Sequence, residues 1–110
     1  MKYLCLVYMQ ESTLADVPDA ECLAFGEMLR ESGQRIAAEA LQPTETATTV
    51  RVRNGSVSIT DGPFAETKEQ LAGFYLIDAR DLNDAIRVAS KIPPARVGSI
   101  EIRPIRELKP

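Results

Sequence analysis

The most constraining feature of this chain is the pair Asn54-Gly55, set between Thr49-Val50-Arg51-Val52-Arg53 and Ser56-Val57-Ser58-Ile59-Thr60. A two-residue connection of type I′ between antiparallel strands needs positive φ at both central positions, and Asn followed by Gly adopts them at little cost. The flanking residues are therefore expected as a β-hairpin in one register. Val52 faces Val57 and Val50 faces Ile59 on one side, while Arg51 and Arg53 face Ser58 and Ser56 on the other.

Around this hairpin the pattern is mixed. Tyr3 to Met9 is an unbroken apolar run of strand length, which reads as a strand covered on both faces. Asp16 and Pro18 mark a helix start, Cys22, Phe25 and Leu29 follow at steps of three and four with Met28 alongside, and Gly33 ends the helix. Ile36 to Leu41 is short and ambiguous, stopped by Gln42-Pro43. Gly73 to Asp78 reads as a central strand. Asp81 then caps a second helix whose apolar stripe is Leu82, Ala85, Ile86 and Ala89, and Pro93-Pro94 ends it. Ser99 to Arg103 alternates strictly, burying Ile100 and Ile102, and Pro104 stands where pairing should cease.

Strand, helix, strands, helix, strand in 110 residues gives one domain over 1–110. The expected fold is an α+β, ferredoxin-like sandwich: an antiparallel sheet with two helices on one face. A chain of this size has a thin core, and two helices cover only one side of the sheet. Strands apolar on both faces then require a second cover, so a homodimer is expected.

The sequence contains no histidine, which excludes Ser/His and Cys/His nucleophile pairs, an imidazole base and the usual nitrogen-rich zinc site. Scattered acids without ligand spacing give no metal site, and no cofactor motif is present. Cys5 and Cys22 fall on apolar faces with no CxxC spacing and read as buried thiols. The formal charge of -3 and the dispersed basic residues argue against direct nucleic-acid binding. The first half of the chain is acidic and the second slightly basic. No apolar run approaches the ~20 residues of a membrane span, and Leu4 to Met9 is too short for a secretory signal, so a cytoplasmic location is expected.

The densest polar segment follows the hairpin. In Asp61-Gly62-Pro63-Phe64 the glycine, before a proline, is expected to be extended, Asp61 to accept hydrogen bonds from the amides beyond the corner, and Phe64 to plug the core. Gly62, Pro63 and Phe64 thus form a structural motif. Glu66, Lys68, Glu69 and Gln70 are either a solvated loop or the mouth of a cleft. In a cleft, Asp61 or Glu66 would be the catalytic proton acceptor, Lys68 would attract an anion, and Tyr75 would donate a hydrogen bond or stack. Glu39, a lone acid among Ile36, Ala37, Ala38, Ala40 and Leu41, is either the wet side of an edge strand or a ligand-binding carboxylate. Arg51, Arg53 and Arg103 project from polar strand faces as candidates for cross-strand ion pairs.

Residues 60–79, Thr-Asp-Gly-Pro-Phe-Ala-Glu-Thr-Lys-Glu-Gln-Leu-Ala-Gly-Phe-Tyr-Leu-Ile-Asp-Ala, resemble the signature of the YCII-related, DGPF-domain family. Met1-Lys2-Tyr3, Leu41-Gln42-Pro43, Thr48 to Val52 and Gly98 to Pro104 agree with it. The resemblance implies a ferredoxin-like subunit that pairs through its sheet into a dimeric α+β barrel, in small bacterial proteins often encoded beside sigma-factor genes. It implies a functional link to a sigma factor but no settled reaction. Related members carry a histidine and aspartate pair in a cleft, which a chain without histidine cannot reproduce. Two readings result: a homodimeric small-molecule-binding or regulatory module, or a metal-independent dimeric enzyme using carboxylate acid–base chemistry on a small organic substrate.

Overall fold

The computed structural model describes residues 1–110. The chain runs β1 (Lys2–Met9), α1 (Asp19–Glu31), β2 (Arg35–Ala40), β3 (Thr48–Arg53), β4 (Ser56–Asp61), β5 (Gln70–Asp78), α2 (Leu82–Ala89) and β6 (Ser99–Pro104), with short 3-10 turns at Glu11–Asp16, Thr44–Thr46 and Pro93–Arg96. Four strands form an antiparallel sheet in the order β2-β5-β1-β6, while β3 and β4 pair only with each other. The result is a ferredoxin-like α+β sandwich with a hairpin inserted between its second and third sheet strands.

The strand alternation explains the layers. Tyr3, Cys5, Val7 and Met9 of β1 stand beside Tyr75 and Ile77 of β5 and are buried under the helices. From above, Phe25 and Leu29 of α1 and Ala85, Val88, Ala89 and Ile92 in and after α2 complete this core. Leu4, Leu6 and Tyr8 alternate to the other side, where Leu4 is opposite Leu76 and Leu6 opposite Phe74. No element covers that side, and these residues are only half-buried.

Helix α1 starts after Pro18 and places Asp19 and Glu21 in its first turn and Arg30 in its last, matching the helix dipole at both ends. It ends where Gly33 takes φ +80° and Gln34 N–H donates to Leu29 C=O. Helix α2 is capped by Asp81, whose side chain accepts from Asp84 N–H at 2.8 Å.

Its inward face differs from the expected stripe. Asp84, Ala85, Val88 and Ala89 are buried, whereas Leu82 and Ile86 are half exposed. The helix is rotated by about one position because the Asp84 carboxylate is fully hydrogen-bonded under the Arg80 and Arg87 side chains, which removes the usual penalty for turning an acid inward.

The hairpin has the expected register, with Asn54 at φ 51° and Gly55 at φ 77°. The corner after it departs from expectation in three respects. Gly62 takes φ +101°, a positive value open to glycine, rather than the ordinary extended conformation. Asp61 remains in the β4 ladder opposite Thr48. The corner is held instead by Gly62 N–H donating to Ala47 C=O at 2.7 Å and the Thr49 hydroxyl donating to Gly62 C=O at 2.8 Å. Phe64 does not plug the core: it is 80% exposed, since the hairpin leads the chain away from the sheet before this residue.

Candidate functional site

Two concavities stand at opposite ends of the sheet. The first, about 520 Å³, lies among Met1, Gln34, Asp78, Arg80, Asp84 and Arg87. Its polar groups already satisfy one another. The Met1 ammonium reaches Asp78 at 3.0 Å and Ala79 C=O at 2.8 Å. The Asp84 side chain, 4% exposed, accepts from Arg80 N–H at 3.1 Å, from Arg87 at 2.9 and 3.1 Å and from the Arg80 guanidinium at 3.4 Å. Hydrogen bonds from the Arg80 amide, then from Arg87 and the Arg80 side chain, pull the Asp84 carboxyl down to about 2. This end is a structural clasp tying the chain start, the end of β5 and α2 together.

The second concavity, about 820 Å³, lies where β1 ends and β6 begins, and is lined by Tyr8, Thr67, Lys68, Glu69, Ser99, Ile100 and Glu101. Strand pairing puts Tyr8 opposite Ser99 and Leu6 opposite Glu101, so the Tyr8, Ser99 and Glu101 side chains share the uncovered face of the sheet. The connection before β5 forms the other wall. Glu69 accepts from the Ser99 hydroxyl at 2.7 Å, Thr67 donates its hydroxyl to Glu69 C=O at 2.6 Å, and Gln70 donates to Thr67 C=O at 2.9 Å. These bonds fix the loop against β6 and leave the Lys68 ammonium exposed beside the cleft. Glu101 also pairs with Arg103 at 3.1 Å.

Of the polar residues read from the sequence as a cleft mouth, Lys68 and Glu69 border this cleft. Asp61 is exposed at the end of β4 and Glu66 is exposed in the connection. Neither lines either concavity. Glu39 is exposed on edge strand β2, opposite Phe74 and on the uncovered face. Tyr75 lies on the opposite face, buried under α1 with its ring edge-on to Phe25 at 5.4 Å and 86°. Burial, helped by Cys22 and opposed by the Arg35 charge, pushes its hydroxyl up to about 12. Gly62 and Pro63 form the hairpin corner, and Arg51 and Arg53 make no ion pair. Tyr8, Ser99 and Glu101, outside the polar segment that follows the hairpin, complete the lining. The strict alternation of Ser99 to Arg103 was the available signal, since burial of Ile100 and Ile102 sends Ser99 and Glu101 to the other face.

Both cysteines are free. Burial raises Cys5 to about 11, and burial followed by the charges of Asp19 and Glu21 raises Cys22, which keeps both as neutral thiols. No group of three or more Cys, Asp or Glu side chains is placed to hold a metal ion. No helix is long and apolar enough to cross a membrane.

Sequence comparison places the chain among known relatives. An uncharacterized protein of Rhizobium meliloti (strain 1021) is 45% identical over 82 residues, a match covering 73% of this chain and 66% of that relative. The chain thus spans just under two-thirds of that relative's length. The YCII-related domain matches residues 1–109, nearly every position described above, and the chain belongs to that family.

Proposed function

We propose that this chain is a homodimeric module that binds a small organic ligand in the cleft between residues 67–69 and the start of β6. The observation that carries this reading is the composition of that cleft. One aromatic ring, Tyr8, stands among a cation, two carboxylates and two hydroxyls, in a concavity of about 820 Å³ that opens onto apolar sheet surface. Ligand sites combine such an apolar wall with a few converging polar groups, commonly in roughly 300–1,000 Å³. Lys68 suits an anionic group on the ligand, Tyr8 a planar or aliphatic part, and Glu101 a donor. A second copy over the sheet would close the open side and strengthen each polar contact by excluding water.

Binding is favoured over covalent catalysis because the thiols are held neutral and Asp61 and Glu66 stand outside the cleft. The test is a thermal-shift screen against a metabolite panel, since a ligand that binds only the native state raises its melting temperature. Compounds that stabilise the wild type are expected to lose their effect on Lys68→Ala and keep it on Asp61→Ala. The reverse pattern would contradict the assignment.

A further inference from the structure

The apolar face of the β3–β4 hairpin is left largely open by its own chain. Val50, Val52, Val57 and Ile59 share that face and are between 58% and 68% exposed. Neither hairpin strand pairs with the four-stranded sheet. An isolated two-stranded ribbon is marginal in water, and a contiguous apolar patch rimmed by polar residues marks an interaction surface.

The root of the hairpin holds it outward. Gly62 N–H and the Thr49 hydroxyl close the base, and Pro63 has no N–H to continue the ladder. The radius of gyration is 15.7 Å, against about 13 Å for a compact domain of this length. The molecule is broad and thin, 46 × 43 × 19 Å, as a body with a projecting arm should be.

Apolar area points to the occupant. Residues 48–61 contain Arg51 and Arg53 on the outer face and one acid, Asp61, at the root, and neither arginine has an ionic partner. An apolar arm and an uncovered apolar sheet face on one chain are complementary to each other's copies, and a two-fold arrangement covers both at once. The areas are of the right order. A hairpin face of about 20 by 10 Å and a sheet face of about 20 by 20 Å, enlarged by side-chain relief, approach the ~800 Å² per partner of a stable interface.

We propose that each hairpin is an exchanged arm, which lays Val50, Val52, Val57 and Ile59 on the uncovered sheet face of a second copy of this chain and keeps Arg51 and Arg53 on its outer, solvent-facing side. The proposal rests on the homodimeric reading and adds the element that grips the partner. It is tested by sedimentation velocity on the wild type, on Val52→Asp/Ile59→Asp, and on an armless chain in which Gly-Gly joins Ala47 to Gly62 in place of residues 48–61. The wild type is expected to sediment as a dimer. Both variants are expected to keep a cooperative thermal transition and to dissociate at least tenfold more readily. The armless chain guards against a folding defect of the double substitution, because its ends are already joined by the Gly62 to Ala47 hydrogen bond. Variants that dimerise as tightly as the wild type would overturn the arm and leave sheet pairing standing. A wild type that is monomeric throughout would overturn both.

Discussion

A Cβ atom on Gly98 would stand 2.1 Å from the carbonyl oxygen of Tyr8, so the approach to β6 is pressed against the end of β1 with no room for a side chain. This contact sets Ser99 opposite Tyr8 and so shapes one wall of the candidate cleft. The obstacle is backbone and cannot swing aside. Gly98→Ala is expected to cost about 1–3 kcal/mol, the usual range for overpacking, or more. At about 4–8 °C per kcal/mol for a domain of this size, thermal unfolding will show the loss directly.

Asp84 gives the fold an acid dependence of known sign. Its carboxyl is held at about 2 in the folded chain, below the ordinary 3.8, by the Arg80 amide, Arg87 and the Arg80 side chain. The stability it contributes is therefore fully present above about pH 4 and lost as pH falls toward 2. Asp84→Asn is expected to melt below the wild type at pH 7, with the gap narrowing across that window. Melting curves from pH 7 to about pH 2 check this; a gap that stays constant would separate Asp84 from the acid response.

The thiols are expected to differ in access and to share low reactivity. Cys5 is fully buried and raised to about 11, while Cys22 is half-buried with its thiol raised above the ordinary 9.0. Iodoacetamide at pH 8 should label Cys22 slowly and Cys5 only on unfolding, as read by mass spectrometry of digested native protein. Cys5→Ser is expected to destabilise by about 1–3 kcal/mol, because it sets a hydroxyl in the apolar layer under the helices.

Much of this architecture is legible in the residues because short-range rules decide it. Asn54-Gly55 demands positive φ at both positions and with it the hairpin register; Gly33 ends α1; Asp81 caps α2. What escapes such reading depends on long-range partners. Nothing local distinguishes a hairpin inside a sheet from one that stands free of it, so Val50 and Ile59 look the same in either case. Asp84 breaks the apolar stripe of α2 because two arginines and an amide receive it, which a hydrophobic pattern does not register. Tyr75 and Lys68, close in sequence, lie on opposite sides of the sheet. The period of two places Tyr75 away from Phe74 and Leu76, but the helices decide which side is covered.

Hairpin dynamics provide a further check. If the arm is gripped by a second copy, amides of Thr48–Arg53 and Ser56–Asp61 that bond across the hairpin are protected in the dimer and exchange rapidly on dilution. Those of β1 and β5 are central in the sheet and stay protected in both states. Hydrogen exchange at two protein concentrations separates these patterns. Hairpin exchange independent of concentration across the dissociation range would speak against the grip.

The central claim is that a second copy covers the sheet face carrying Leu4, Leu6, Phe74 and Leu76. Sedimentation equilibrium of the wild-type chain at micromolar concentration tests it most directly. The expected result is a mass twice the 12.1 kDa of one chain, and a mass of 12.1 kDa up to the highest soluble concentration would contradict it.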